Sequence, residues 1–155
     1  GDQSDTPVIS YDLLPTIAEL AGFTGLLPKN LDGRSFASVL HNSDSLITRP
    51  AEGLVFHFPH YNIVGINEPH SAIRIGDYKL LRFYSSGREL LFDVVNDPGE
   101  STDLSIEKSV LKAQMGAALE LYLEQVNAEK PEDSNSWKKG NFGGVKTRFF
   151  ERYDN

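Results

Sequence analysis

The sequence has no cysteine, which excludes disulfides, thiolate zinc sites and a cysteine nucleophile within these residues. It also lacks any apolar run approaching the ~20 residues that a membrane-spanning helix needs. The opening GDQSDTPVIS has neither a basic stretch nor an apolar stretch of the kind a signal peptide carries, so an export signal is expected to have been removed or never included. Positive charge is scarce relative to negative. A net charge of −7 disfavours phosphate-backbone binding, which needs clustered Lys and Arg on the contacting face, so nucleic acid is not an expected partner. Three catalytic signatures are missing as well: there is no G-x-S-x-G elbow, no G-x-x-x-x-G-K-[ST] phosphate loop and no H-E-x-x-H zinc helix.

What remains is globular in character. Hydrophobic residues make up 39% and charged residues 24% of 155 positions, which argues against wholesale disorder and is enough for a core in one ordinary domain. Three regions follow one another. In the first, residues 1–49, a short strand PVIS leads into YDLLPTIAELAG, where Leu13, Leu14, Ile17, Leu20 and Ala21 recur with helical spacing. Asp12 suits the N-cap, which puts Pro15 at the third helical position, and Gly22 supplies the stop. Asp32-Gly33 marks a turn, and Ser35 caps a short helix carrying Phe36, Val39 and Leu40. A strand followed by a capped helix resembles the last βα unit of a layered α/β domain, yet no earlier strand is present to pair with it. The chain therefore reads as a piece of a longer protein.

In the second region, residues 50–128, LVFHF, SAIRI, YKLLRFY and ELLFDV are rich in strand formers and are separated by hairpin-length turns. A four-stranded antiparallel meander is expected. Leu90, Phe92 and Val94 alternate with Glu89, Leu91 and Asp93, while Lys79, Leu81 and Phe83 alternate with Tyr78, Leu80, Arg82 and Tyr84. Apolar groups on both faces imply cover by a helix on one side and by further protein on the other. That helix is expected over Ser105–Asn127, with Ser105 as its cap and an apolar stripe of Leu111, Met115, Ala118, Leu119, Tyr122 and Val126. Gly116 inside it costs about 1 kcal/mol relative to Ala unless close packing requires it. The fold class is thus α+β: a small antiparallel sheet with a long C-terminal helix on one face, preceded by the end of a larger α/β domain. Residues 129–155 are expected to form a tail, partly docked or disordered, whose aromatics, Trp137, Phe142, Phe149, Phe150 and Tyr153, favour docking on another surface.

FHFPHY, residues 56–61, is the richest candidate for chemistry. His57 and His60, with His70, could share a metal ion, could contact an anionic substrate, or could serve the fold or face water. Arg74, Lys79 and Arg82 could orient an anion, or could pair with strand acids such as Glu89 and Asp93. NDPGE, residues 96–100, is oxygen-rich, but it reads as turn chemistry better than as a calcium loop.

Taken in order, VISYDLLPTIAELAG, LDGRSFASVL, FHFPHY, SAIRIGDYKLLRFY and ELLFDVVNDPGESTDL resemble the C-terminal part of the sulfatases of the alkaline-phosphatase-like superfamily, over about residues 7–128. The resemblance implies a parent enzyme that hydrolyses sulfate esters, possibly of sulfated carbohydrates, and is periplasmic or secreted. It implies a formylglycine made from the Cys or Ser of a C/S-x-P-x-R motif and a divalent ion, usually calcium, both in an N-terminal catalytic domain. No proline here has Cys or Ser two positions before it, so no catalytic or metal-binding residue is expected in these residues and the isolated chain is expected to be inactive. The partners implied are that N-terminal domain and the sulfate-ester substrate. By the same resemblance His57, His60 and Tyr61, with Arg74, become substrate-binding candidates on a loop facing the cleft. Two rivals remain open: a carbohydrate-binding or interaction module without catalysis, and a purely structural subdomain.

Overall fold

The computed structural model describes residues 3–42, 45–61 and 68–131. Contacts divide the chain between Glu52 and Gly53 into two compact units. Among the described residues no helix is long and apolar enough to cross a membrane. The docking expected of the aromatic tail concerns residues 132–155, which lie outside the described ones.

In the first unit a 3₁₀ turn, Ser10–Asp12, runs into helix α1, Leu13–Leu20, and helix α2 follows at Ala37–His41. α1 ends as expected. Gly22 takes φ +65°, Phe23 N–H donates to Ala18 O at 2.9 Å and Gly22 N–H donates to Glu19 O at 3.0 Å. These two bonds close a Schellman stop around a residue that has no Cβ to strain. Ser35 stands one residue before the N-cap, which is Phe36 and makes no side-chain cap bond, but its Oγ accepts from Ala37 N–H, the first of the helix, at 3.1 Å.

The expected strand PVIS does not form. Its ladder groups are spent on side chains: Ile9 N–H donates to Asp12 Oδ2 and Pro7 O accepts from Arg49 Nη2, both at 3.0 Å, while Pro7 has no N–H to give. Asp12 sits where an N-cap belongs, but its carboxylate makes no helix-capping bond. It is wholly buried and gathers this unit instead, accepting from Arg49 Nη1 and Nη2 at 2.6 Å each and from Arg34 N–H at 2.9 Å. Thr16 extends the hub, donating to Asp12 O at 2.6 Å and accepting from Phe36 N–H at 3.0 Å. Burial raises the Asp12 pKa, but the Arg49 guanidinium and the two backbone N–H groups outweigh it and leave the carboxyl below its ordinary value.

The second unit is the expected meander: β1 Leu54–Phe58, β2 His70–Ile75, β3 Tyr78–Phe83 and β4 Glu89–Asp93, all antiparallel in chain order. At the two-residue turn between β2 and β3, Gly76 has φ +56° and Asp77 does not, the pattern of a type II′ hairpin. Alternation sends Ile73, Leu80 and Leu91 to one face with Met115 and Leu119, while Ala72, Leu81, Phe83, Leu90 and Phe92 form a second buried cluster on the other.

Helix α3, Ser109–Gln125, supplies Met115 and Leu119. It starts four residues later than expected. Asp103 takes the Ser105 N–H at 2.9 Å and the Ser105 hydroxyl at 2.8 Å, so Ser105 belongs to a turn that precedes the helix. The far end of the stripe also differs: Val126 is exposed and Leu123 packs on the core, because the helix stops before Val126 could return to the sheet. Gly116 does mark a close approach. A Cβ there would lie 2.8 Å from Arg82 Nη2, and that nitrogen donates to Gly116 O at 3.1 Å.

Candidate functional site

Alternation along β1 places Val55 and His57 on the helix-covered face and Leu54, Phe56 and Phe58 on the other. His57 lies opposite Ser71 in the ladder. Its Nδ1 is 2.6 Å from Ser71 Oγ, its Nε2 is 2.8 Å from Glu129 O, and Ser71 Oγ is 2.8 Å from Tyr84 OH. A carbonyl only accepts, so Nε2 carries the proton; in the neutral ring Nδ1 then accepts from Ser71, which in turn accepts from Tyr84. Ser71 is fully buried, and the second nitrogen of His57 meets a backbone carbonyl where a catalytic triad would have a carboxylate. This Ser–His pair is not a hydrolytic centre.

His60 is 57% exposed, with Nε2 4.0 Å from a Glu129 carboxylate oxygen and its ring edge-on to Phe58 at 5.7 Å. Tyr61 OH meets Ser85 Oγ at 2.8 Å. Residues 62–67 lie outside the described ones. The structure thus brings His57 and His60 to Glu129 and sets Tyr61 by the β3–β4 turn, but it does not bring Arg74 to them. Arg74 points from the opposite face of β2, where Nε donates to Gly76 O at 3.2 Å.

His70 also faces away from His57, with Nδ1 donating to Glu68 O at 2.9 Å. The three histidines cannot close on one ion, and among the described residues no three metal-ligating side chains do so. The donor set here therefore does not fit calcium, and the chain offers no Cys or Ser in the formylglycine context. The other cations of the sheet are engaged by acids. Arg82 donates from Nε to Glu89 at 2.8 Å and from Nη1 to Glu120 at 2.6 Å, and Lys79 pairs with Glu100. In the acidic turn, Asp93 accepts from Val95 and Asn96 N–H, and Asp97 accepts from Ser101 and Thr102 N–H. The Asn96 side-chain amide, foremost, and the Thr102 N–H hold these two carboxyls below their ordinary pKa. Their oxygens are used as turn caps, as the sequence suggested.

A groove of about 500 Å³ opens beside His57, lined by Tyr84 and Leu123 and by the acids Glu120, Glu124 and Glu129. Sequence reading missed it because its walls come from β1, β3 and the end of α3. It also missed the Asp12–Arg49 hub, whose partners are 37 residues apart.

Comparison with known proteins gives a consistent picture. The family model for "N-sulphoglucosamine sulphohydrolase, C-terminal" matches residues 1–129. A sulfatase of Formosa agariphila is 39% identical over 107 residues, covering 64% of this chain and 19% of that protein. An N-acetylglucosamine-6-O-sulfatase of Bacteroides thetaiotaomicron is 26% identical over 115 residues, covering 74% of this chain and 20% of its own length. A protein solved in complex with its substrate D-glucosamine-2-N,6-O-disulfate superposes with TM-score 0.64 at 24% identity, over 79% of this chain and 25% of that one. This chain therefore spans about a fifth of the length of the curated relatives it matches.

Proposed function

Since the chain belongs to the N-sulphoglucosamine sulphohydrolase C-terminal family, we propose that it is the C-terminal subdomain of a sulfatase that hydrolyses sulfate esters of carbohydrates, where it supports the catalytic domain and walls part of the substrate pocket. The observation that carries this reading is the family match over residues 1–129, in a chain that spans only a fifth of its relatives. Relatives named for glucosamine sulfates favour a sulfated amino sugar as the substrate class. On this reading the formylglycine and calcium belong to the catalytic portion of such a parent. A periplasmic or secreted location follows from the same reading.

The apolar face of α1 is in keeping with this role. Leu13, Leu14, Ile17 and Leu20 are each at least half exposed, a face that the catalytic portion would cover. Of the four candidate side chains, His60 and Tyr61 are assigned to substrate contact through orientation and hydrogen bonding. His57 stands behind them with both ring nitrogens engaged, and Arg74 serves the opposite face. The test is twofold. The isolated chain should not hydrolyse an aryl sulfate with or without calcium, and turnover by pure material sinks the reading. In the full-length enzyme, His60→Ala should raise KM with thermal stability kept, and unchanged kinetics removes His60 from the pocket wall.

A second reading, a carbohydrate-binding module without catalysis, is favoured by Phe56 and Phe58, which are exposed side by side on edge strand β1. Binding of sugars by the isolated chain, lost in Phe56→Ala, would support it.

A further inference from the structure

The chain beyond α3 is redirected by a second Schellman stop. Asn127 takes φ +49°, its N–H donates to Glu124 O at 3.1 Å, and Ala128 N–H donates to Leu123 O at 2.9 Å. Asn is among the few side-chain-bearing residues that adopt this conformation readily. The turn sends Ala128–Pro131 back along the groove that they help to line. Glu129 then meets both histidines of the β1 loop: His57 through its carbonyl at 2.8 Å and His60 through its carboxylate at 4.0 Å.

The His57 ring is locked in one orientation from behind. Tyr84 donates to Ser71, and Ser71 donates to Nδ1, so the single remaining donor, Nε2–H, is aimed at Glu129 O. Ser71 is wholly buried and the Tyr84 ring stands edge-on to His57 at 6.3 Å, so turning the imidazole over would break two bonds and a ring contact together.

We propose that Asn127–Pro131 is a strap that closes one wall of the groove, and that His57 is its clasp: a positioning residue, fixed by Ser71 and Tyr84, whose release lets the strap swing away from β1. The inference stands on this geometry alone and is independent of whether the parent protein is a sulfatase.

Nitrogen NMR on the full 155-residue chain tests the first part. In its neutral form His57 should show a protonated Nε2 and an unprotonated Nδ1, and the opposite tautomer overturns the clasp. Amide exchange tests the second part. In His57→Ala the Asn127 and Ala128 amides should exchange about tenfold faster while those of Ile73, Leu80 and Leu91 keep their rates. His57→Gln should restore most of the protection, because its carboxamide can donate to Glu129 O and accept from Ser71. Should His57→Ala fail to fold, Tyr84→Phe, which removes only the far end of the relay, should still speed the two strap amides two- to threefold. Unchanged strap exchange, or equal acceleration across the sheet, overturns the proposal.

Discussion

The two compact units are held together by different physics. Among described residues of the first, the buried apolar side chains are the small ones of Pro15 and Ala37, and the rest of the interior is polar: Asp12, Thr16 and the guanidinium of Arg49. In the second, both faces of the sheet are packed with Leu, Ile and Phe, the Lys79 and Arg82 ion pairs are partly exposed, and the buried Glu68 carboxylate accepts from the Ser86 N–H and hydroxyl beside the sheet. A carboxylate hub fixes the course of loops through directional bonds but removes little apolar surface from water, so the first unit leaves the α1 leucines exposed. A sheet with a helix on it gains most of its stability from area. The difference teaches that the second unit carries its own core, while the first is organised but not covered.

The largest test of this contrast is Asp12→Ala. It leaves Arg49 buried without its partner and two backbone N–H groups without an acceptor, and should cost roughly 3–5 kcal/mol. The loss should be confined to the first unit, seen as faster exchange there with the sheet amides unchanged. Global unfolding would erase the distinction. Leu119→Ala is the mirror experiment: a cavity under the sheet should cost about 2–5 kcal/mol in denaturant melts that follow the second unit.

Acid should separate the units too. The Asp12 pKa is depressed in the folded state. Its contribution is complete above the unfolded value near 3.8 and drains away as pH falls through the lower folded value. An acid titration followed by NMR should therefore loosen the Pro7–Ile9 and Arg34 backbone before it disturbs Leu80 or Leu91. Asp93 and Asp97 share the sign of the effect, but it should stay within their own exposed turn.

Glycine substitutions give the smallest and most local tests. Gly53→Ala would set a Cβ 2.1 Å from Arg74 O, a backbone atom that cannot step aside, and should cost about 1–3 kcal/mol. Gly116→Ala meets only the tip of Arg82. A helix-propensity gain of about 1 kcal/mol offsets that contact, so the melt should move little in either direction.

How much of this was legible beforehand follows the same divide. The strands, their alternation and the Gly76-Asp77 turn were written locally, in β-branched and aromatic residues at period two, and the structure has them within a residue or so. Local signals failed where a side chain, near or far in the chain, competed for the same atoms. Ser105 read as a cap until Asp103 claimed its N–H and hydroxyl, and PVIS read as a strand until Asp12 and Arg49 took its ladder groups. The candidate site was legible as a list of residue types but not as an arrangement. Nothing in FHFPHY says that His57 is enclosed by Ser71, 14 residues on, and by Glu129, 72 residues on, or that Arg74 faces the other way.

The strand order β1-β2-β3-β4 repeats the order of synthesis. Each strand finds its neighbour without waiting for a remote segment, so little loop-closure entropy is spent before pairing begins. The II′ hairpin at Gly76-Asp77 closes the shortest loop in the sheet, with one further strand on each side of it and α3 packed on one face. A sheet built this way needs no strand from outside its own run of sequence to be complete in hydrogen bonding between neighbours.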